Sequence, residues 1–194
     1  QVSNIQDFPS LILLIAYAFL FTINQNIASE SYPQIEVKTT SGSFIIELDR
    51  NRSPISVENF LRYIEDDFFE NTVFHRVIQG FVIQGGGYTP DLESKETYPN
   101  IINESGNGLS NRRMTIAMAR ETDPHTASSQ FYINLVDNFT LDPMATRWGY
   151  AVFGEVIEGF SVINSIAGSA TQSMNGMQDV PVSPVIILEA SRIN

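Results

Sequence analysis

At 194 residues the chain has room for one domain of ordinary size behind a leader, and not for two domains. A hydrophobic fraction of 43% suffices for one packed core, while a net charge of −11 with 11 Lys and Arg scattered singly, apart from the pair Arg112-Arg113, leaves no phosphate-neutralising stripe, so no nucleic-acid partner is expected. Cysteine is absent and His75 and His125 are the two histidines, which leaves no disulfide, no thiol nucleophile and no Cys- or His-rich metal site to expect.

The first feature along the chain is the uncharged run Leu11–Ile23, LILLIAYAFLFTI. A helix over it would cover about 20 Å, short of a hydrocarbon core of about 30 Å. Extending it from Phe8 to Ile27 reaches about 30 Å but takes in Asn24, Gln25 and Asn26. Three readings compete: a secretory segment cut after Ala28, an uncleaved membrane anchor, and a helix packed against a partner. The expectation taken here is an N-terminal apolar helix that contacts a membrane or a membrane complex. Residues 1–34 then form anchor and linker, and residues 35–194 form a periplasmic domain tethered to the inner membrane.

From Ile35 the pattern changes to strand-like alternation. IEVKTT, a Ser41-Gly42 turn and SFIIELD read as a hairpin. Pro54 after Ser53 opens a helix, with Glu58 early in it and Val57, Phe60, Leu61 and Ile64 on one apolar stripe. Short strands are predicted at Val73–Val77, Phe81–Gln84, Thr115–Met118, Gln130–Leu135 and Ala151–Val156, a second helix over Glu158–Ala167, and a last strand over Pro184–Ala190. Thr89–Asn111, rich in Gly, Pro and Asn, reads as a surface loop. Many short strands with two helices point to an all-β barrel capped by helices rather than to a βαβ sheet.

Common catalytic signatures are missing: there is no P-loop, no HExxH and no Gly-x-Ser-x-Gly elbow. Gly85-Gly86-Gly87 is followed by nothing helical and basic, so it reads as a turn at a strand end rather than a phosphate cradle. Asn103 and Asn138 head Asn-x-Ser/Thr triplets, taken as coincidental.

Three blocks carry a family likeness: FHRVIQGFVIQGGG from Phe74, TIAMARETDPHTASSQFYINL from Thr115, and WGYAVFGEVIEGF from Trp148. In this order and at these separations they resemble the cyclophilin family. The resemblance implies a closed eight-stranded antiparallel barrel with a helix at either end. It implies prolyl cis/trans isomerisation acting on proline-containing polypeptides, with no cofactor and no metal. Arg76 falls on the family's catalytic arginine, with Gln84 beside it. Phe81, Met118, Ala119, Gln130 and Leu141 fall on substrate-groove positions, and Arg120 falls where substrate backbone is contacted. Val82 stands where Met is usual, Tyr132 where Phe is usual, and Thr140 where an aromatic shapes the rim; Tyr150 replaces the pocket His, as in bacterial members.

The chemistry implied is modest. Rotation about an imide bond faces a barrier of about 18–20 kcal/mol, so a turnover of about 10 per second needs about 4 kcal/mol of help. One charged donor in a dry site supplies about 2.7–4 kcal/mol, which makes nucleophile, metal and cofactor unnecessary. Arg76 can donate to the prolyl nitrogen as it becomes pyramidal, Gln84 can hold the guanidinium, and Phe81, Val82, Tyr132 and Leu141 can grip the ring. Strand alternation turns Phe131 into the core, opposite Gln130 and Tyr132, and turns His75 away from Arg76 as a satisfied structural histidine. Two functions remain in competition. One is an active isomerase for exported or membrane-bound chains; the other is a cyclophilin-fold accessory subunit of a membrane complex with an idle groove.

Overall fold

The computed structural model describes Ile15, Ala16, Leu20, Thr22 and residues 30–194. Most of the expected apolar helix and most of its linker lie outside the described residues. Among the described residues no helix is long and apolar enough to cross a membrane.

The chain enters the domain under restraint. The guanidinium of Arg50 donates to the carbonyl and the carboxylate of Glu30 at 2.8 and 2.7 Å. The hairpin follows as β1 (Gln34–Thr39) and β2 (Gly42–Leu48), and then α1 (Pro54–Glu65). Proline at its first position suits this helix, because the missing N–H would have had no partner there. Val57, Phe60, Leu61 and Ile64 are buried as the stripe predicts. The carboxylate at the helix start is not Glu58, which pairs with Arg50 at 2.7 Å, but Glu104. It accepts from the backbone N–H of Ile55 at 3.0 Å and of Ser56 at 2.7 Å, filling two donors that every helix start leaves open.

The remaining strands are β3 (Thr72–Val73), β4 (Arg76–Ile78), β5 (Val82–Gly85), β6 (Thr115–Met118), β7 (Phe131–Asn134), β8 (Val152–Glu158), β9 (Thr171–Met174), β10 (Met177–Pro181) and β11 (Ile186–Arg192). A second helix, α2 (Phe160–Ala167), follows β8. Gly159 opens it at φ 81°, and a Cβ there would meet Phe44 at 2.6 Å, so glycine is required twice over. Nine strands form one antiparallel sheet in the order β3-β11-β1-β2-β8-β6-β7-β5-β4, and β9 and β10 form a separate ribbon. That ribbon, not predicted, turns at Asn175 and Gly176 with φ 51° and 81°, values suited to a tight hairpin. Its strand β9 is exposed throughout and shows no alternation to read.

The nine-stranded count differs from the eight expected because the strand predicted over Val73–Val77 is broken. Phe74 and His75 separate β3 from β4, and these two pieces serve opposite edges of the sheet. The sheet curls until its edges meet through the chain rather than through a hydrogen-bond ladder. Inside it, Phe131 lies 5.5 Å from Phe60, 5.6 Å from Phe69 and 6.0 Å from Phe74, each nearly edge-on, the arrangement ring quadrupoles favour. The segment 89–111 has no regular strand or helix but is not merely surface, since Asn103, Ser105 and Asn111 are buried. Asn103 donates to the carbonyls of Pro124 and Gly149, and Asn138 to that of Phe81, so both triplet asparagines are structural.

At the strand break, His75 is buried with its ring edge-on to Tyr88 at 4.7 Å, and its Nδ1 has no hydrogen-bond partner. It is structural, as expected, but not fully satisfied. Burial first, and the neighbouring Arg76 charge second, push its pKa down to about 4. The unfolded chain takes up this proton near pH 6.5 and the folded chain only near pH 4. Stability from this residue is therefore complete above pH 6.5 and falls as pH drops toward 4, by up to about 3 kcal/mol. Urea unfolding at pH 7 and pH 4 should show a smaller acid loss in His75→Phe than in the native sequence, by about that amount. Equal losses would show that His75 does not carry this effect.

Candidate active site

Side chains alternate across a strand, so one face of the curled sheet lines the main core and the other faces outward. On β5, β6, β7 and β8 the inward positions include Ile83, Ile116, Met118, Phe131, Ile133 and Phe153. The outward positions Val82, Ala117, Tyr132 and Val152 form a second, smaller apolar cluster, joined by Phe81, Leu109, Ala119, Leu141 and Tyr150. Above it lies a cavity of about 230 Å³ lined by Arg76, Phe81, Val82, Gln84, Ala119, Arg120, Tyr132, Leu141 and Tyr150. Those nine were all proposed from sequence.

Register aligns the polar end of this cavity. Arg76 is paired with Gln84, Gln84 with Tyr132, Tyr132 with Ala117, and Ala117 with Val152, one row across five strands. The Arg76 guanidinium donates to Gln84 Oε1 at 3.3 Å, and Gln84 Nε2 donates to Gln130 Oε1 at 3.0 Å. A chain of amides thus fixes the arginine at the rim of an apolar hollow. Gln130 stands behind Gln84 rather than against the cavity. Met118 is set apart: parity turns it inward, it is 2% exposed, and it belongs to the main core.

Arg120 is held by backbone carbonyls. Its guanidinium donates to Glu121 at 2.7 Å, Trp148 at 3.0 Å and Gly149 at 3.3 Å, and it lies 4.4 Å over the Tyr150 ring. The side chain therefore braces the wall that carries Tyr150. Thr140 sits exposed in a single 3-10 turn, Phe139–Leu141, whose neighbour Phe139 is 55% exposed at the surface. Burial pushes the Tyr132 phenol well above the ordinary tyrosine range, so it is a neutral donor, and it donates a hydrogen bond to Asn111 Oδ1 at 2.7 Å. The hydroxyl that distinguishes it from the usual Phe is thus occupied within the protein, and the pocket keeps an apolar floor. Asn111 was missed in the sequence because nothing local marks it; it follows a polar loop and is buried only by tertiary packing.

A larger hollow of about 370 Å³ lies between β2, β8 and residues 108–112. Its lining mixes Glu47, Asp49 and Glu155 with Arg52 and Arg112 and lacks a convergent apolar surface. The smaller cavity, floored by a convergent apolar cluster and lined by two arginines held in place, Arg76 and Arg120, has the features of a ligand site.

Residues 34–192 match the family described as cyclophilin type peptidyl-prolyl cis-trans isomerase/CLD. Among curated relatives, the peptidyl-prolyl cis-trans isomerase cyp18 of Streptomyces antibioticus is 48% identical over 159 residues, covering 80% of this chain and 96% of that protein. The peptidyl-prolyl cis-trans isomerase B of Escherichia coli is 47% identical over 152 residues, covering 77% and 93%. A crystal structure of a cyclophilin type isomerase from Cryptosporidium parvum, solved in the presence of the dipeptide Ala-Pro, superposes with a TM-score of 0.72 at 26% identity, covering 83% of this chain and 99% of that one. The fold and site thus define a prolyl isomerase. The chain belongs to the cyclophilin-type peptidyl-prolyl cis-trans isomerase family.

Gly87 offers a test of the amide chain. A Cβ there would come within 2.5 Å of Gln130 Cγ and 2.8 Å of its Cδ and Nε2, so the part-exposed Gln130 side chain must rotate away, from a position just outside β7. Gly87→Ala should therefore leave the melting temperature nearly unchanged while displacing Gln130, and with it Gln84 and Arg76. An activity loss of about 10–100-fold is expected in a prolyl-peptide assay. Full activity would show that Gln130 does not hold the arginine in place.

Proposed function

We propose that this isomerase accelerates X-Pro rotation by donation from Arg76 to the prolyl nitrogen, in proteins that are exported or membrane-associated. The observation that supports the mechanism is the guanidinium fixed by Gln84 beside the apolar cavity. As the imide twists, its nitrogen regains a lone pair and becomes an acceptor; a donor aimed there interacts more strongly with the transition state than with either planar ground state. Phe81, Val82, Tyr132 and Leu141 enclose the ring in a space with little water, where such a bond is stronger than in solvent. In this reading β3 and β4 are one interrupted strand of a closed eight-stranded barrel, and residues 35–194 are the isomerase unit.

Arg76→Ala should lower kcat/KM by about 10²–10³ with the fold retained. Arg76→Lys should also be poor, because a point charge on a flexible stem does not reproduce the planar fork held by Gln84. An Ala variant with native activity would remove this mechanism.

The location rests on the apolar run Leu11–Ile23. An uncleaved anchor in the inner membrane, with the domain in the periplasm, accommodates a run too apolar for an exposed tail. Fractionation of native cells with intact-mass measurement should find the protein in membranes with this segment present. A soluble mature form beginning at Ser29 would overturn the anchor.

A further inference from the structure

Behind the groove lies a concentration of buried polar groups that no step of the isomerisation uses. Asn111 and Asn134 are fully buried, and Asn138 is 8% exposed. Asn111 Oδ1 accepts from the Tyr132 hydroxyl at 2.7 Å and from Asn134 Nδ2 at 3.2 Å. Its backbone N–H and its Nδ2 both donate to one carboxylate oxygen of Asp142, at 2.7 and 2.9 Å. Asn134 Oδ1 accepts from Asn138 Nδ2 at 2.8 Å, and that same amide donates to the carbonyl of Phe81 at 3.0 Å. Several of these links end at the cavity: Tyr132 and Phe81 line it, Asp142 follows Leu141, which does too, and Asn111 Nδ2 also reaches the carbonyl of Tyr150 at 3.4 Å.

We propose that Asn111, acting with Asp142, is a positioning residue that sets the width of the prolyl pocket by tying its tyrosine floor to its leucine wall. A buried amide resists displacement because any partner it loses is left without water. Side-chain packing holds the 3-10 turn that carries Leu141 only weakly, since Thr140 and Phe139 are exposed and none of its residues is buried. Its backbone is tied to the next wall, the Tyr150 N–H donating to the Leu141 carbonyl at 2.9 Å, and the Asp142 carboxylate adds the tie to the floor, through a side chain that is also bonded to Tyr132. A pocket that grips the ring equally in the planar and twisted states contributes to substrate binding, whereas Arg76 contributes to the transition state. The signature of Asn111 is therefore in KM, and that of Arg76 in kcat.

This inference rests on the groove reading above, and the test separates the two. kcat and KM for a prolyl peptide are measured for the native sequence, Arg76→Ala, Asn111→Ala, Asp142→Ala and Asp142→Asn, with melting temperatures alongside. Asn111→Ala and Asp142→Ala should raise KM on the order of tenfold with kcat within about twofold. Asp142→Asn keeps an acceptor oxygen at the same place and should restore a near-native KM. Unchanged KM in the Ala variants, with lower melting temperatures, would show a network that serves stability alone and would overturn the proposal. If Asn111→Ala does not fold, the Asp142 pair decides: equal KM in Asp142→Ala and Asp142→Asn overturns it. Native activity in Arg76→Ala would remove the groove reading and this inference with it, whereas a crippled Arg76→Ala beside unchanged KM elsewhere removes the inference alone.

Discussion

The site depends on register across five strands. Arg76, Gln84, Tyr132, Ala117 and Val152 stand in one row, on the same face, although they come from positions 76 residues apart in the chain. A slip of one residue on any of these strands would send its groove residue into the core and a core residue into the groove. The main core opposes such a slip. Ile83, Phe131, Ile133, Ile116 and Phe153 alternate with the groove residues on the same strands and are almost fully buried, so their packing energy fixes the groove's register too.

The groove combines two surfaces that are hard to keep together. An apolar pocket is needed for the ring, and polar groups are needed to aim one cation. The structure separates them by depth. Amides of Gln84 and Gln130 lie at the rim, where they hold the arginine, and amides of Asn111, Asn134 and Asn138 lie behind the floor. Between them the cavity wall is presented by rings and aliphatic side chains. Tyr132 spans the layers, with its ring toward Tyr150 at 5.9 Å and its hydroxyl turned back to Asn111.

Much of this was legible in the sequence, and the gaps have physical reasons. Strand parity placed Phe131 inward and Tyr132 outward from three consecutive residues, since the period of a strand is two. The same rule, applied to Thr115–Met118, puts Met118 on the face opposite Ala117 and accounts for its place in the core. The break at Phe74–His75 left no mark, because a hydrophobic strand pattern looks the same whether its two ends pair with one sheet edge or with opposite edges. The cap on α1 was equally hidden: Glu104 reaches Ser56 from 48 residues away, so no local motif announces it. Polar loop composition concealed Asn103 and Asn111, whose burial is decided by what folds over them.

The two ends of the domain meet in its sheet. β1 pairs with β2 on one side and with β11 on the other, in a register that sets Ile35 opposite Arg192, and β11 also carries β3. A chain emerging from a ribosome therefore has its first strand waiting, with one flank unpaired, until residues 186–192 arrive. The strand row of the groove can form locally earlier, but the sheet that fixes its curvature cannot. Contacts of such long range make for slow, all-or-none folding. Nascent copies of this isomerase would expose an unpaired β1 edge for most of their synthesis, a template for pairing with other chains until β11 covers it.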